Sequence, residues 1–112
     1  MNFETESRDG VVIIAPLARR LDAAVAMVFK QKVLSAIEQG NSRVLLDFSH
    51  IDFIDSSCLG ALVSILKNLN GRGELALCGL NDNIRGMFKL TRMDRIFTID
   101  SDRQAALHSM RH

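Results

Sequence analysis

From residue 40 onward the chain repeats one pattern, a short apolar run followed by a capped segment of helical period. Val44 to Phe48 is apolar apart from Asp47, and Leu75 to Cys78 and Ile96 to Ile99 are shorter runs of the same kind. Runs like these read as strands buried in a sheet. Strands that alternate with helices imply a mostly parallel sheet, right-handed crossovers and helices packed on it. Ahead of this region, Phe3 to Arg8 and Val11 to Leu17 flank Asp9-Gly10. That dipeptide between two strand-like runs predicts an antiparallel hairpin.

The helices announce themselves by their caps. Asp22 is placed to accept from free backbone N–H groups and start a helix running to about Gln39. Val25, Phe29, Val33 and Ile37 recur on its buried stripe, and Gly40 ends it. His50 to Asp55 reads as a loop. A second helix spans Ser57 to Asn70, closed by Gly71-Arg72-Gly73. Asn81 or Asn83 caps a third helix that buries Ile84, Met87 and Phe88. Ser101-x-x-Gln104 is a capping-box signature for a last helix to about Met110. The expectation is one α/β domain over residues 1–112, a hairpin followed by a mixed, mostly parallel sheet of about five strands with about four helices.

A chain of 112 residues is long enough for one core. The formal charge of +1 argues against a nucleic-acid binder, which needs a clustered basic face. No apolar run approaches the roughly 20 residues that span a bilayer, and the acidic start Met1-Asn2-Phe3-Glu4 is unlike a signal peptide. Cys58 and Cys78 are the only cysteines, too few for a disulfide framework, so a cytoplasmic location is expected. His50, His108 and His112 show no ligand spacing with each other or with the cysteines, and no metal site is expected.

The chemistry concentrates in Ile51-Asp52-Phe53-Ile54-Asp55-Ser56-Ser57-Cys58-Leu59-Gly60, where a carboxylate and two hydroxyls stand at a loop-to-helix junction. Backbone N–H groups there lack intrahelical partners, and the helix dipole is positive. A phosphate on a serine at that point is tolerated by the fold and obstructs a closely packed partner. Serine at such a junction also serves as a plain helix cap. Ser57 is not set in a Gly-x-Ser-x-Gly elbow, which disfavours a serine hydrolase. Further along, Leu59, Leu62, Val63, Leu66 and Leu69 form the core face of the second helix. Cys58, Ala61 and Ile65 widen the apolar arc. They form either a broader buried face or a partly exposed strip beside Ser57 that a partner covers. Cys58 at a helix start is also a candidate reactive thiol, because the dipole lowers thiol pKa.

Asp55-Ser56-Ser57-Cys58-Leu59-Gly60 after the strand Val44 to Phe48 resembles the Asp-Ser-Ser-Gly-Leu-Gly hallmark of the STAS family, specifically the bacterial anti-sigma factor antagonists. Leu21-Asp22, Gly73-Glu74-Leu75 and Met87-Phe88-Lys89-Leu90-Thr91 resemble further family segments over nearly the whole chain. The resemblance implies a STAS fold and a non-enzymatic, phosphorylation-controlled antagonist in a partner switch. It implies Ser57 as phosphoacceptor, with Ser56 second, and Asp55 and Asp22 near the same surface. With the flank of Cys58, Ala61 and Ile65 read from the helical period, Asp22, Asp55 and Ser56 make up the candidate partner surface. The implied partners are an anti-sigma factor with a histidine-kinase-like serine kinase domain and a PP2C-type phosphatase, without nucleic acid or membrane. ATP belongs to the kinase, since this chain has no phosphate-cradling glycine loop and needs no cofactor. The alternative is a constitutive STAS subunit of an ABC lipid-transport complex. Three departures stand out: Cys58 for the motif glycine, Arg19-Arg20 where Gly-Glu is usual, and Arg92 where glycine is frequent.

Overall fold

The structure, a computed structural model, describes residues 1–110; Arg111 and His112 lie outside the described residues. Strands β1 (Phe3–Arg8) and β2 (Val11–Pro16) form the hairpin, with Asp9 and Gly10 at φ of 54° and 79°. Two left-handed residues in a row give a turn whose twist matches that of the flanking strands. The chain continues through β3 (Arg20–Leu21), α1 (Ala23–Glu38), β4 (Arg43–Asp47), β5 (Phe53–Ile54) and α2 (Ser56–Leu69). It ends with β6 (Glu74–Cys78), α3 (Asp82–Leu90), a 3-10 turn (Met93–Arg95), β7 (Thr98–Asp100) and α4 (Arg103–Ser109).

The main sheet has five strands in the order β1-β2-β4-β6-β7, and only the β1–β2 pairing is antiparallel. Side-chain alternation splits the central strands between two cores. Ile14, Val44, Leu46, Leu75 and Leu77 face α1, α2 and α3 through Phe29, Leu62 and Phe88. Val11, Ile13, Leu45, Ala76 and Cys78 face Ala106, Leu107 and Met110 at the α4 end of the chain. A strand buried on both faces has no polar side to show, which is why these runs are continuous.

Several boundaries differ from the expectation. The last strand is Thr98–Asp100 rather than Ile96 to Ile99, because Ile96 completes the 3-10 turn and is half exposed. Asp102, not Ser101, caps α4, its carboxylate accepting from Ala105 N–H at 2.8 Å. Asn81 caps α3, through Ile84 N–H at 2.9 Å. Arg92 sits at φ 61°, a left-handed conformation that favours glycine, the residue that the resemblance leads one to expect at this position.

One polar cluster ties the far face together. Asp47 is the buried charged residue at the end of β4, 4% exposed. Its Oδ2 accepts from Arg103 Nε at 2.6 Å, and its Oδ1 from Ser49 N–H at 2.9 Å. Arg103 also reaches Glu6 at 2.7 Å and Glu4. A Cβ on Gly79 would stand 2.8 Å from Asp47 Oδ1, so the loop after β6 closes over the carboxylate only as glycine. Burial opposes ionisation of Asp47, but the bonds from Arg103 and Ser49 outweigh it and hold the carboxyl below its usual range. Arg103→Ala should therefore cost about 2–3 kcal/mol at pH 7, somewhat under the figure for a fully enclosed pair, because Ser49 N–H remains and water reaches the vacated side. A carboxyl whose folded pKa is depressed contributes stability above its unfolded pKa, near 4, and loses it as pH falls through the folded value. The gap between the two proteins in urea melts should hence shrink from pH 7 to pH 3; a gap independent of pH would show that Asp47 is not what Arg103 stabilises.

Candidate functional site

Two strands of two residues each, unannounced by any periodicity, build the site. Parallel β3 and β5 pair Arg20 with Phe53 and Leu21 with Ile54. The next residues of both strands are Asp22 and Asp55, so the two helix starts leave this small sheet side by side, and Asp55 N–H donates to Leu21 C=O at 3.3 Å. Asp22 caps α1 by accepting from Val25 N–H at 3.3 Å. Asp55 caps α2 by accepting from Ser57 N–H at 2.9 Å. The cap of α2 is thus the aspartate and neither serine. Its carboxylate bonds to the Ser57 backbone; it does not bond to the hydroxyl.

Ser56 opens α2 and is exposed, and Ser57 follows it, half-buried. Among the described residues the Ser57 hydroxyl has no hydrogen-bond partner, so no base is placed to draw off its proton. Ser57 stands on a shallow groove of about 450 Å³ between α1 and α2. Ala23, Ala26, Met27 and Lys30 form the α1 side; Gly60, Ala61 and Ser64 continue the α2 side. The groove stays open where small residues, Ala23 and Ala26 on one side and Gly60 and Ala61 on the other, line it.

The exposed strip of Cys58, Ala61 and Ile65 does not exist as such. Cys58 and Ile65 are fully buried, and both belong to the core on the α1–α2 side of the sheet. The cause is that α2 packs on the sheet and on α1 together, which needs a wider apolar arc than one contact would. Ala61 is 8% exposed and touches the surface only as part of the groove. The apolar residues open to solvent in this part of the molecule include Met27 on α1, 63% exposed, with Val28 beside it, and Phe53 on β5, 46% exposed. Met27 lies off the four-residue stripe of α1, the one signal that could have found it. Phe53 carries the Arg20 guanidinium 5.0 Å from its ring centroid. Arg19 pairs with Asp52 at 2.7 Å in an exposed contact worth little to stability. Both departures at Arg19-Arg20 therefore line the small sheet beneath the two capped helix starts.

Burial pushes the Cys58 thiol up to about 12, and the Asp55 carboxylate adds to the shift. The helix-start effect that would activate a thiol loses to desolvation. Native protein should react with a disulfide reagent at pH 7.5 orders of magnitude more slowly than free cysteine, with full modification on addition of urea. Rapid labelling of Cys58 in the folded chain would reverse that assignment.

The STAS domain family model matches residues 2–106. A Bordetella bronchiseptica protein, BtrV, described as an anti-sigma factor antagonist, is 30% identical over 107 residues, covering 95% of this chain and 91% of its own. The anti-sigma-B factor antagonist of Listeria monocytogenes is 31% identical, with 88% of each chain covered. The crystal structure of a Thermotoga maritima protein described in the same terms superposes with a TM-score of 0.90 at 31% identity, over 98% of this chain and 95% of that one. Matched along nearly all of its length by family model, sequence and structure alike, the chain belongs to the STAS domain family.

Proposed function

We propose that this protein is an anti-sigma factor antagonist whose binding is switched off by phosphorylation of Ser57. The observation that carries the proposal is the half-buried, unbonded Ser57 hydroxyl on the rim of the α1–α2 groove. Relatives of the same length described as anti-sigma factor antagonists support the coarser half of it. Unphosphorylated, the protein binds an anti-sigma factor that carries a histidine-kinase-like serine kinase domain. The kinase transfers the γ-phosphoryl group of ATP to Ser57 Oγ; the hydroxyl proton leaves and ADP is released. The phosphoprotein then dissociates, and a PP2C-type phosphatase hydrolyses the phosphoserine to reset it. The chain contributes a binding surface and an acceptor, and no catalytic group of its own. A cytoplasmic setting suits its two buried free thiols, and among the described residues no helix is long and apolar enough to cross a membrane.

The test is incubation with a cognate anti-sigma factor that carries a histidine-kinase-like serine kinase domain, with ATP, followed by mass spectrometry of the peptide around Asp55 to Leu59. Ser57→Ala should abolish modification, and Ser56→Ala should leave most of it. The opposite pattern moves the acceptor to Ser56. Modification of both single variants at full level overturns the assignment.

A further inference from the structure

The helix start beside Ser57 is already occupied by negative charge. The Asp55 carboxylate takes Ser57's own N–H, and Asp22 caps the neighbouring helix alongside. A phosphoserine carries nearly two negative charges at neutral pH. On that side it meets the Asp55 carboxylate, which already holds the Ser57 N–H, and like charges disfavour the ionised form. The other side of Ser57 is different. Of the residues lining the α1–α2 groove, Lys30 alone is charged, and among the described residues it has no ion-pair partner. The groove has room as well: a Cβ added at Gly60 would meet nothing within 4 Å. Long side chains on a helix lean toward its N-terminus, so Lys30, two turns into α1 and lining the same groove, is set to lean toward the end that holds Ser57.

From this we infer that Lys30 is the residue that takes the phosphate of phosphorylated Ser57, holding it in the α1–α2 groove and away from the helix start. The phosphate then covers the small-residue floor of Ala26, Gly60 and Ala61. Phosphorylation fills the Ser57 end of the groove, in addition to placing charge at its rim. The inference rests on Ser57 as acceptor, and its test is independent of any kinase.

Phosphoserine is installed at position 57 of the full chain by nonsense suppression, and its second ionisation is followed by 31P NMR. The reference value is about 6. Lys30→Met should raise the observed pKa by about half a unit or more, the shift expected for losing one nearby charge at a solvated site. Asp55→Asn, which keeps a capping side chain, should lower it. Lys32→Met is the control: Lys32 is on the same helix but lies 5.8 Å from the centroid of the Phe3 ring and does not line the groove. Equal shifts for Lys30→Met and Lys32→Met, or none for Lys30→Met, would overturn the pairing. Thermal melts of the unphosphorylated variants check that each is folded. If the kinase assay fails while the Lys30 shift stands, the regulatory role of Ser57 falls and the pairing survives; the reverse result sinks the pairing alone.

Discussion

Ile65→Glu should unfold the protein. Ile65 has no solvent exposure and packs in the core between the sheet and the helices α1 and α2. Removing a buried aliphatic side chain of this size typically costs about 2–5 kcal/mol. Glutamate adds to that. It either remains ionised without a partner, at several kcal/mol, or stays protonated far above its usual carboxyl range. The sum approaches the whole stability of a small domain, about 5–15 kcal/mol. Far-UV circular dichroism of the variant should lose the helical signal of the folded domain, and its thermal transition should be absent. Ile65→Val should keep a cooperative transition and lose only about 1 kcal/mol. A folded Ile65→Glu with an ordinary melt would mean that Ile65 faces solvent, and would revive the apolar strip as an interface.

That strip shows where reasoning from the chain alone runs out. Helical period identifies which residues of α2 are apolar; it does not say how many neighbours the helix has. Cys58, Ala61 and Ile65 look surplus if α2 packs only on a sheet, and they are required once α1 packs beside it. The same limit hid the small sheet. Two-residue strands such as Arg20–Leu21 and Phe53–Ile54 have no detectable alternation, and their pairing bridges 33 residues from Arg20 to Phe53. By contrast the hairpin at Asp9-Gly10, the caps at Asp22 and Asn81 and the apolar runs of β4 and β6 are local chemistry, and they stand where expected. Cap identity was legible only down to a choice of neighbours. In Asp55-Ser56-Ser57 any of the three side chains is competent, and it is the extended backbone of Asp55, φ −112° and ψ −177°, that decides. The Arg103 cluster was invisible for a plainer reason: its partners Glu4, Glu6 and Asp47 lie 99, 97 and 56 residues away.

The consequence for the proposed switch is that Ser57 is free of structural duty, because Asp55 does the capping. Ser57→Glu should accordingly change the domain's own stability by less than about 1 kcal/mol. A carboxylate in the first turn gains up to about 1 kcal/mol from the helix dipole, and the neighbouring carboxylates of Asp22 and Asp55 offset part of that gain. Binding to the anti-sigma factor is another matter. The wild-type groove offers a neutral hydroxyl among Ala23, Ala26, Gly60 and Ala61, and a partner shaped to it strips away the water that a carboxylate needs. Truncating or mismatching a charge at a buried contact costs about 2–5 kcal/mol, and each 1.4 kcal/mol is tenfold. Affinity should fall at least about thirtyfold on Ser57→Glu, and further with authentic phosphoserine, whose charge is larger. Calorimetric titration and thermal melting on the same preparations separate the two effects. Equal affinity for wild type, the glutamate variant and the phosphoprotein rules out the switch. A fall of many degrees in melting temperature would instead show that the charge acts by breaking the start of α2, which the Asp55 cap should prevent.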